Sequence, residues 1–201
     1  MNSILEFLSQ FPPEKIFFIY LGFLFLNILG TVPSNSDLLI ITGAFLATLG
    51  KFDFLTLYLG VLSIVLLGEN ILYGLGYFFG PKIFRLKFYQ KIMPLKRRLK
   101  LQKFVNLYPT QILISIRLMP ILRPVMYLAI GNFRISPKVF IKRHLTIVIL
   151  YYSLILCSFY FASNTLTILV GEYKVYALLT LSIIWIALLR SLRKKFMILP
   201  E

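Results

Sequence analysis

Apolar runs divide this chain, and each polar interruption falls where a bilayer would have to accommodate it. Residues 16–32 are apolar but slightly short for a crossing helix, and residues 31–37 (TVPSNSD) break the run. About a dozen apolar residues follow, over 38–49. Residues 54–79 are long enough to cross, since a hydrocarbon core of about 30 Å takes roughly 20 residues of helix. Residues 107–133 are apolar but interrupted by RLMPILRP at 117–124. Residues 145–170 span, and residues 175–189 span if Tyr173 and Tyr176 sit at an interface.

Composition agrees: the chain has 201 residues, 59% of them hydrophobic, and a mean hydropathy of +0.84. The net charge is +15, with seven acidic residues. The charges lie beside apolar spans and no recognition motif accompanies them, so they point to an anionic lipid surface rather than to nucleic acid. Residues 82–103 hold nine Lys/Arg and no acid; Arg134, Lys138, Lys142 and Arg143 form a second cluster, and Arg190, Arg193, Lys194 and Lys195 a third. The positive-inside rule places all three in the cytoplasm. The broken segment 107–133 then enters and leaves by one face, and the interrupted stretch before Lys51 enters from the other. The expected fold is an all-α polytopic membrane protein. Two re-entrant helical hairpins enter from opposite faces, beside spanning helices, as in an inverted-repeat transporter. One integral-membrane domain covers 1–201: a first re-entrant region at about 20–50, a spanning helix at about 54–80, an amphipathic basic segment at about 82–105, a second re-entrant region at about 107–133, and spanning helices at about 138–170 and 174–190. The N-terminus lacks a basic n-region and an A-x-A-like site, so the first apolar segment is expected to remain in the mature protein.

Irregular backbone at membrane depth survives only where protein or water covers it. Arg117 and Arg123 each cost about 2.5–3.5 kcal/mol there unless paired or hydrated. Pro120 breaks a helix and Pro124 suits the first turn of the next. Two guanidiniums beside a helix N-terminus make an anion site that fits phosphate; the plainer alternatives are snorkelling or structural pairing with carboxylates. Glu69 is ionisable inside the long span, and Arg117 and Arg123 are its obvious mates, as counter-ion or proton carrier. Tyr73 lies at i+4 from Glu69, and Gly76 and Gly80 on the same face allow close helix approach. Asp37 follows Ser34, Asn35 and Ser36 at the first break, where a capping role competes with a functional one. Asn27 reads as a helix-contact residue. His144 has no Cys or second His nearby and reads as structural. Cys157 alone allows no internal disulfide. No catalytic motif, metal site or cofactor site is visible, so no enzyme is expected.

The residues resemble the DedA family of membrane proteins (SNARE-associated, or VTT-domain). Residues 117–123, RLMPILR, resemble its R-F-x-P-x-x-R motif, with Gly131 at its A-G glycine and Phe140 at the aromatic after its S-P turn. Gly68, Glu69, Tyr73, Gly76 and Gly80 resemble its G-D-x-x-x-Y-x-x-G-R-x-x-G block, with Glu for Asp and Tyr77 for Arg. Residues 33–43, from Pro33 to Gly43, resemble its P-G-D/E…A-G block. The likeness covers about residues 20–165. Ser36 stands where the family has an acid, Asp37 comes one residue late, and Asn27 replaces a common Glu.

The resemblance implies a flippase or scramblase that moves a phosphate-headgroup lipid, such as undecaprenyl (polyprenyl) phosphate or a phospholipid. Arg117 and Arg123 would bind the headgroup, and Glu69 and Asp37 would serve as counter-ions or proton carriers. Pro33, Ser36, Pro120, Pro124, Gly131, Tyr73 and Gly76 would form the breaks and close packing. Expected partners are the lipid, the anionic membrane surface along 82–103, protons and further copies in a homo-oligomer. The expected location is a bacterial inner (plasma) membrane, with basic loops and C-terminus cytoplasmic. Rival readings are a proton- or cation-coupled carrier of a small anion and a non-transporting scaffold.

Overall fold

The computed structural model describes residues 12–31, 35–119 and 122–170, together with residue 187. Pro33, Pro120 and the spanning helix expected over 174–190 lie outside the described residues, as does the third basic cluster. Among the described residues the structure is all helical, with eight helices: α1 (Pro13–Ile28), α2 (Ser36–Thr48), α3 (Phe54–Ile83), α4 (Lys87–Ile92), α5 (Leu95–Leu107), α6 (Pro109–Arg117), α7 (Arg123–Asn132) and α8 (Pro137–Val170).

Local chemistry sets the boundaries. Asn35 caps α2, its side chain accepting from the Asp37 amide at 3.0 Å. Asp53 caps α3 the same way, accepting from the Thr56 amide at 3.0 Å and from the Thr56 hydroxyl at 3.2 Å. Loss of such a cap costs about 1 kcal/mol, so Asp53→Ala is expected to lower thermal stability in detergent by that amount. Prolines divide the basic stretch: Met93 and Tyr108 precede Pro94 and Pro109 and leave the helical region at φ −131° and −132°. The expected amphipathic segment is therefore two helices, α4 and α5, with the interruption at Pro94.

Among the described residues, two helices are long and apolar enough to cross a membrane: α3, with 30 residues, and 27 residues of α8, Pro137–Ser163. At 1.5 Å per residue α3 is about 45 Å long. The helices of 13, 9 and 10 residues (α2, α6, α7) are far too short for this. Large apolar side chains cover the outside of the long helices: Phe78 is 74% exposed, Leu150 67% and Phe161 64%. Such a surface suits lipid better than water.

Packing is crosswise. The most extensive contact is between α7 and α3, and the next is between α2 and α8. Each short helix that follows a break thus docks on the long helix that follows the other break. The interior falls into two apolar clusters. One joins Leu24, Ile40, Leu57, Val61, Val65, Val148, Tyr152 and Ile155. The other joins Leu72, Leu101, Leu113, Met126, Ile130 and Phe140. On α3 the change from one cluster to the other falls at Glu69, between Val65 and Leu72. On α8 it falls at His144, between Phe140 and Val148. A polar layer separates the two cores, and the ionisable residues occupy it.

Candidate functional site

The polar layer is built where both chain breaks meet both long helices. Arg117 is the last residue of α6 and Arg123 the first of α7. Arg117 forms a bidentate pair with Glu69 of α3, Nη1 donating to Oε1 at 2.7 Å and Nη2 to Oε2 at 2.6 Å. Its guanidinium also lies 5.9, 5.8 and 5.4 Å from the ring centres of Tyr127, Tyr151 and Tyr152. Arg123 donates to both Asp37 carboxylate oxygens at 3.3 Å and to the Ser36 hydroxyl at 2.9 Å. It also donates to the Arg117 carbonyl at 3.1 Å, satisfying a carbonyl that the end of α6 leaves without a helical partner. At the N-terminus of α7 a cation is disfavoured by the helix dipole, and Asp37 offsets that cost.

α8 ties the two ion pairs together. The Tyr152 hydroxyl receives Arg117 at 3.2 Å and Arg123 at 3.0 Å. The Tyr151 hydroxyl donates to Asp37 Oδ2 at 2.9 Å. His144 Nε2 lies 2.7 Å from Glu69 Oε2, a contact that requires a hydrogen on Nε2. Arg117 Nη2 stands 3.1 Å from the same ring nitrogen, so both donors converge on one carboxylate oxygen. All of Ser36, Asp37, Glu69, Arg117, Arg123 and His144 are buried, none more than 4% exposed. Two guanidiniums face two carboxylates. Four buried polar atoms in this layer meet no partner among the described residues: the Nε of each arginine, the Tyr127 hydroxyl and His144 Nδ1.

The arrangement decides what the sequence left undecided. Glu69 takes Arg117, and Arg123 goes to Asp37. Asp37 is not the cap of α2; Asn35 is, which frees the Asp37 carboxylate for Arg123 and Tyr151. Ser36 hydrogen-bonds the same guanidinium as Asp37. Both guanidiniums hold their carboxylates through Nη1 and Nη2. Asn27 is buried in α1.

The remaining sequence candidates shape the layer. Tyr73 donates to the Ile135 carbonyl at 2.5 Å and stacks on Phe140 at 4.0 Å between ring centres. A side chain on Gly76 would meet the Leu128 backbone, and one on Gly131 would meet the backbones of Tyr73 and Tyr77, so α3 and α7 touch main chain to main chain. Gly30, at φ +80°, ends α1 with the Pro124 ring filling the space a side chain would need, so the two breaks touch.

His144, Tyr151 and Tyr152 are the site residues that sequence reading missed. Their signal lay in spacing. Phe140, His144, Val148 and Tyr152 recur every fourth residue, and all are at most 2% exposed. That stripe marks the inward face of α8. His144 read as structural because no Cys or second His lies nearby in the sequence. Among the described residues, no group of His, Cys, Asp and Glu could hold a metal ion. Comparison with protein-family models, curated proteins and solved structures found no match.

Proposed function

We propose that this chain is an integral-membrane lipid translocase of the DedA kind, moving a phosphate-headgroup lipid between leaflets. One observation carries the reading: a fully buried cluster of two arginines and two carboxylates joins both helix breaks to both long helices. Burying four charges is costly, and a core built only for stability does better with apolar residues of similar volume. Polar atoms without partners in the same layer point the same way, because such defects gather at functional sites.

The proposed architecture is two re-entrant hairpins, α1–α2 and α6–α7, entering from opposite faces. It is supported by three features: helices too short to cross, the crosswise docking of α2 on α8 and α7 on α3, and basic loops on both sides of α6–α7. Those basic loops would face the cytoplasm. In the working cycle, a phosphate headgroup takes the place of Asp37 on Arg123, and protonation of the displaced carboxylate removes its competition. His144 and Glu69 then hold Arg117 in register.

The test is lipid flip-flop in proteoliposomes, with labelled phospholipids and a polyprenyl phosphate, comparing wild type with Arg123→Gln at equal folded protein. The expected result is a rate at least about tenfold lower in the variant, equivalent to about 1.4 kcal/mol. Equal rates would remove Arg123 from the mechanism. The pairing of each guanidinium with a carboxylate favours one other reading, a non-transporting scaffold; wild-type rates no higher than empty liposomes, for every lipid, would remove the translocase and leave the scaffold or a carrier of a small anion.

A further inference from the structure

A second basic feature lies away from the central cluster. A cavity of about 420 Å³ opens where α3 ends, between α4, α5 and the end of α7. Its polar lining is Arg85, Arg98, Gln90, Gln102 and Asn132, and its floor includes Phe84. The parts are held in place. Phe84 is buried, and the Arg98 guanidinium lies 5.4 Å over its ring. The Gln90 amide donates to the Arg85 carbonyl at 3.2 Å, fixing the turn that presents Arg85. No Asp or Glu occurs in the sequence between Glu69 and Glu172, and no carboxylate lines the cavity. Arg85 and Arg98, from different segments, therefore line one hollow with carboxamide side chains beside them and no carboxylate among the described lining residues.

We propose that this cavity is a binding site for an anionic, phosphate-bearing headgroup, with Arg85 and Arg98 as its charged ligands. Guanidinium geometry matches phosphate oxygens two at a time, and carboxamides supply further donors. The volume falls within the usual range for small-ligand sites. A lipid is the favoured source of the phosphate, a choice that rests on the membrane reading above. The hollow sits at the end of a membrane-length helix, and Phe78, Phe79 and Leu99 beside it expose large apolar side chains that acyl chains would cover. The site differs from a diffuse attraction of basic residues to a charged surface: it is saturable and depends on which arginines are removed.

Native mass spectrometry of the whole chain in detergent tests this, with dioctanoyl phosphatidic acid, dioctanoyl phosphatidylcholine and inorganic phosphate as probes. Saturable binding of the phosphatidic acid is expected, weakened at least about tenfold by Arg85→Gln with Arg98→Gln. Lys96→Gln with Arg97→Gln removes the same charge from α5, at residues that do not line the cavity, and is expected to change binding by less than about twofold. If the first pair fails to fold, Gln102→Glu places a carboxylate in the hollow while keeping Arg98 on Phe84, and is expected to weaken binding as strongly. Equal losses in both charge pairs, or no saturable binding, would overturn the site. Inorganic phosphate binding as tightly as the lipid, with the same arginine dependence, would support the site and assign it to free phosphate. Absent flip-flop with intact phosphatidic acid binding would remove the translocase reading and leave this site. Flip-flop without binding would remove this site alone.

Discussion

Glu69→Ala is expected to destabilise the protein by about 3–5 kcal/mol, the usual cost of stripping one partner from a buried ion pair. The reason is the geometry of the polar layer. Arg117 is 1% exposed, and Glu69 neutralises it through two short hydrogen bonds. Without Glu69, a guanidinium stays in the interior with no other carboxylate among its hydrogen-bond partners, and His144 loses its acceptor as well. Since whole proteins are stable by only about 5–15 kcal/mol, this removes a large share of the margin. Arg117→Met is expected to behave similarly, because it leaves Glu69 unpaired. The double variant Glu69→Ala with Arg117→Met should be more stable than either single variant, because no unpaired charge remains. Thermal unfolding in detergent, run on all four proteins, measures the coupling. Additive losses would show that the two side chains do not interact. The Asp37–Arg123 pair, at 3.3 Å and shared with Ser36 and Tyr152, should give a smaller coupling in the same experiment.

Gly131→Ala is expected to cost about 3 kcal/mol, near the top of the range for overpacking, although it adds a single methyl group. The methyl would meet the Tyr73 carbonyl oxygen and the Tyr77 amide nitrogen, both backbone atoms that cannot rotate away. Relief requires α7 to move off α3, along the largest contact in the fold. Gly76→Ala pushes on the same contact from the other side, through the Leu128 backbone, and should cost a similar amount. The double variant should cost less than the two losses added, because one displacement accommodates both methyls. Gly74→Ala supplies the control. It lies on the same helix with open space around it, so the change should be neutral or stabilising by up to about 1 kcal/mol, from helix propensity alone. Thermal unfolding decides among these outcomes, and a Gly131→Ala protein as stable as wild type would rule out main-chain contact between α3 and α7. Because α7 carries Arg123, the same displacement would also move that guanidinium away from Asp37.

Much of this was legible in the chain itself. Two membrane-length helices follow from uninterrupted apolar runs, because helix length and side-chain hydrophobicity are local properties. The break after Arg117 follows from paired prolines in an apolar run. Glu69, Arg117 and Arg123 stood out because an ionised group in an apolar segment is costly wherever the chain folds. Tertiary structure alone decided how those charges are satisfied. Arg123 and Asp37 are 86 residues apart and Arg117 and Glu69 are 48 apart, and no local pattern chooses between the two possible pairings. The choice follows from docking: α7 against α3 and α2 against α8 set which carboxylate each guanidinium can reach. His144 and Tyr152 entered the site for the same reason. Their positions on α8 gave them an inward face, but only the packing of both breaks against that face put charges in front of them.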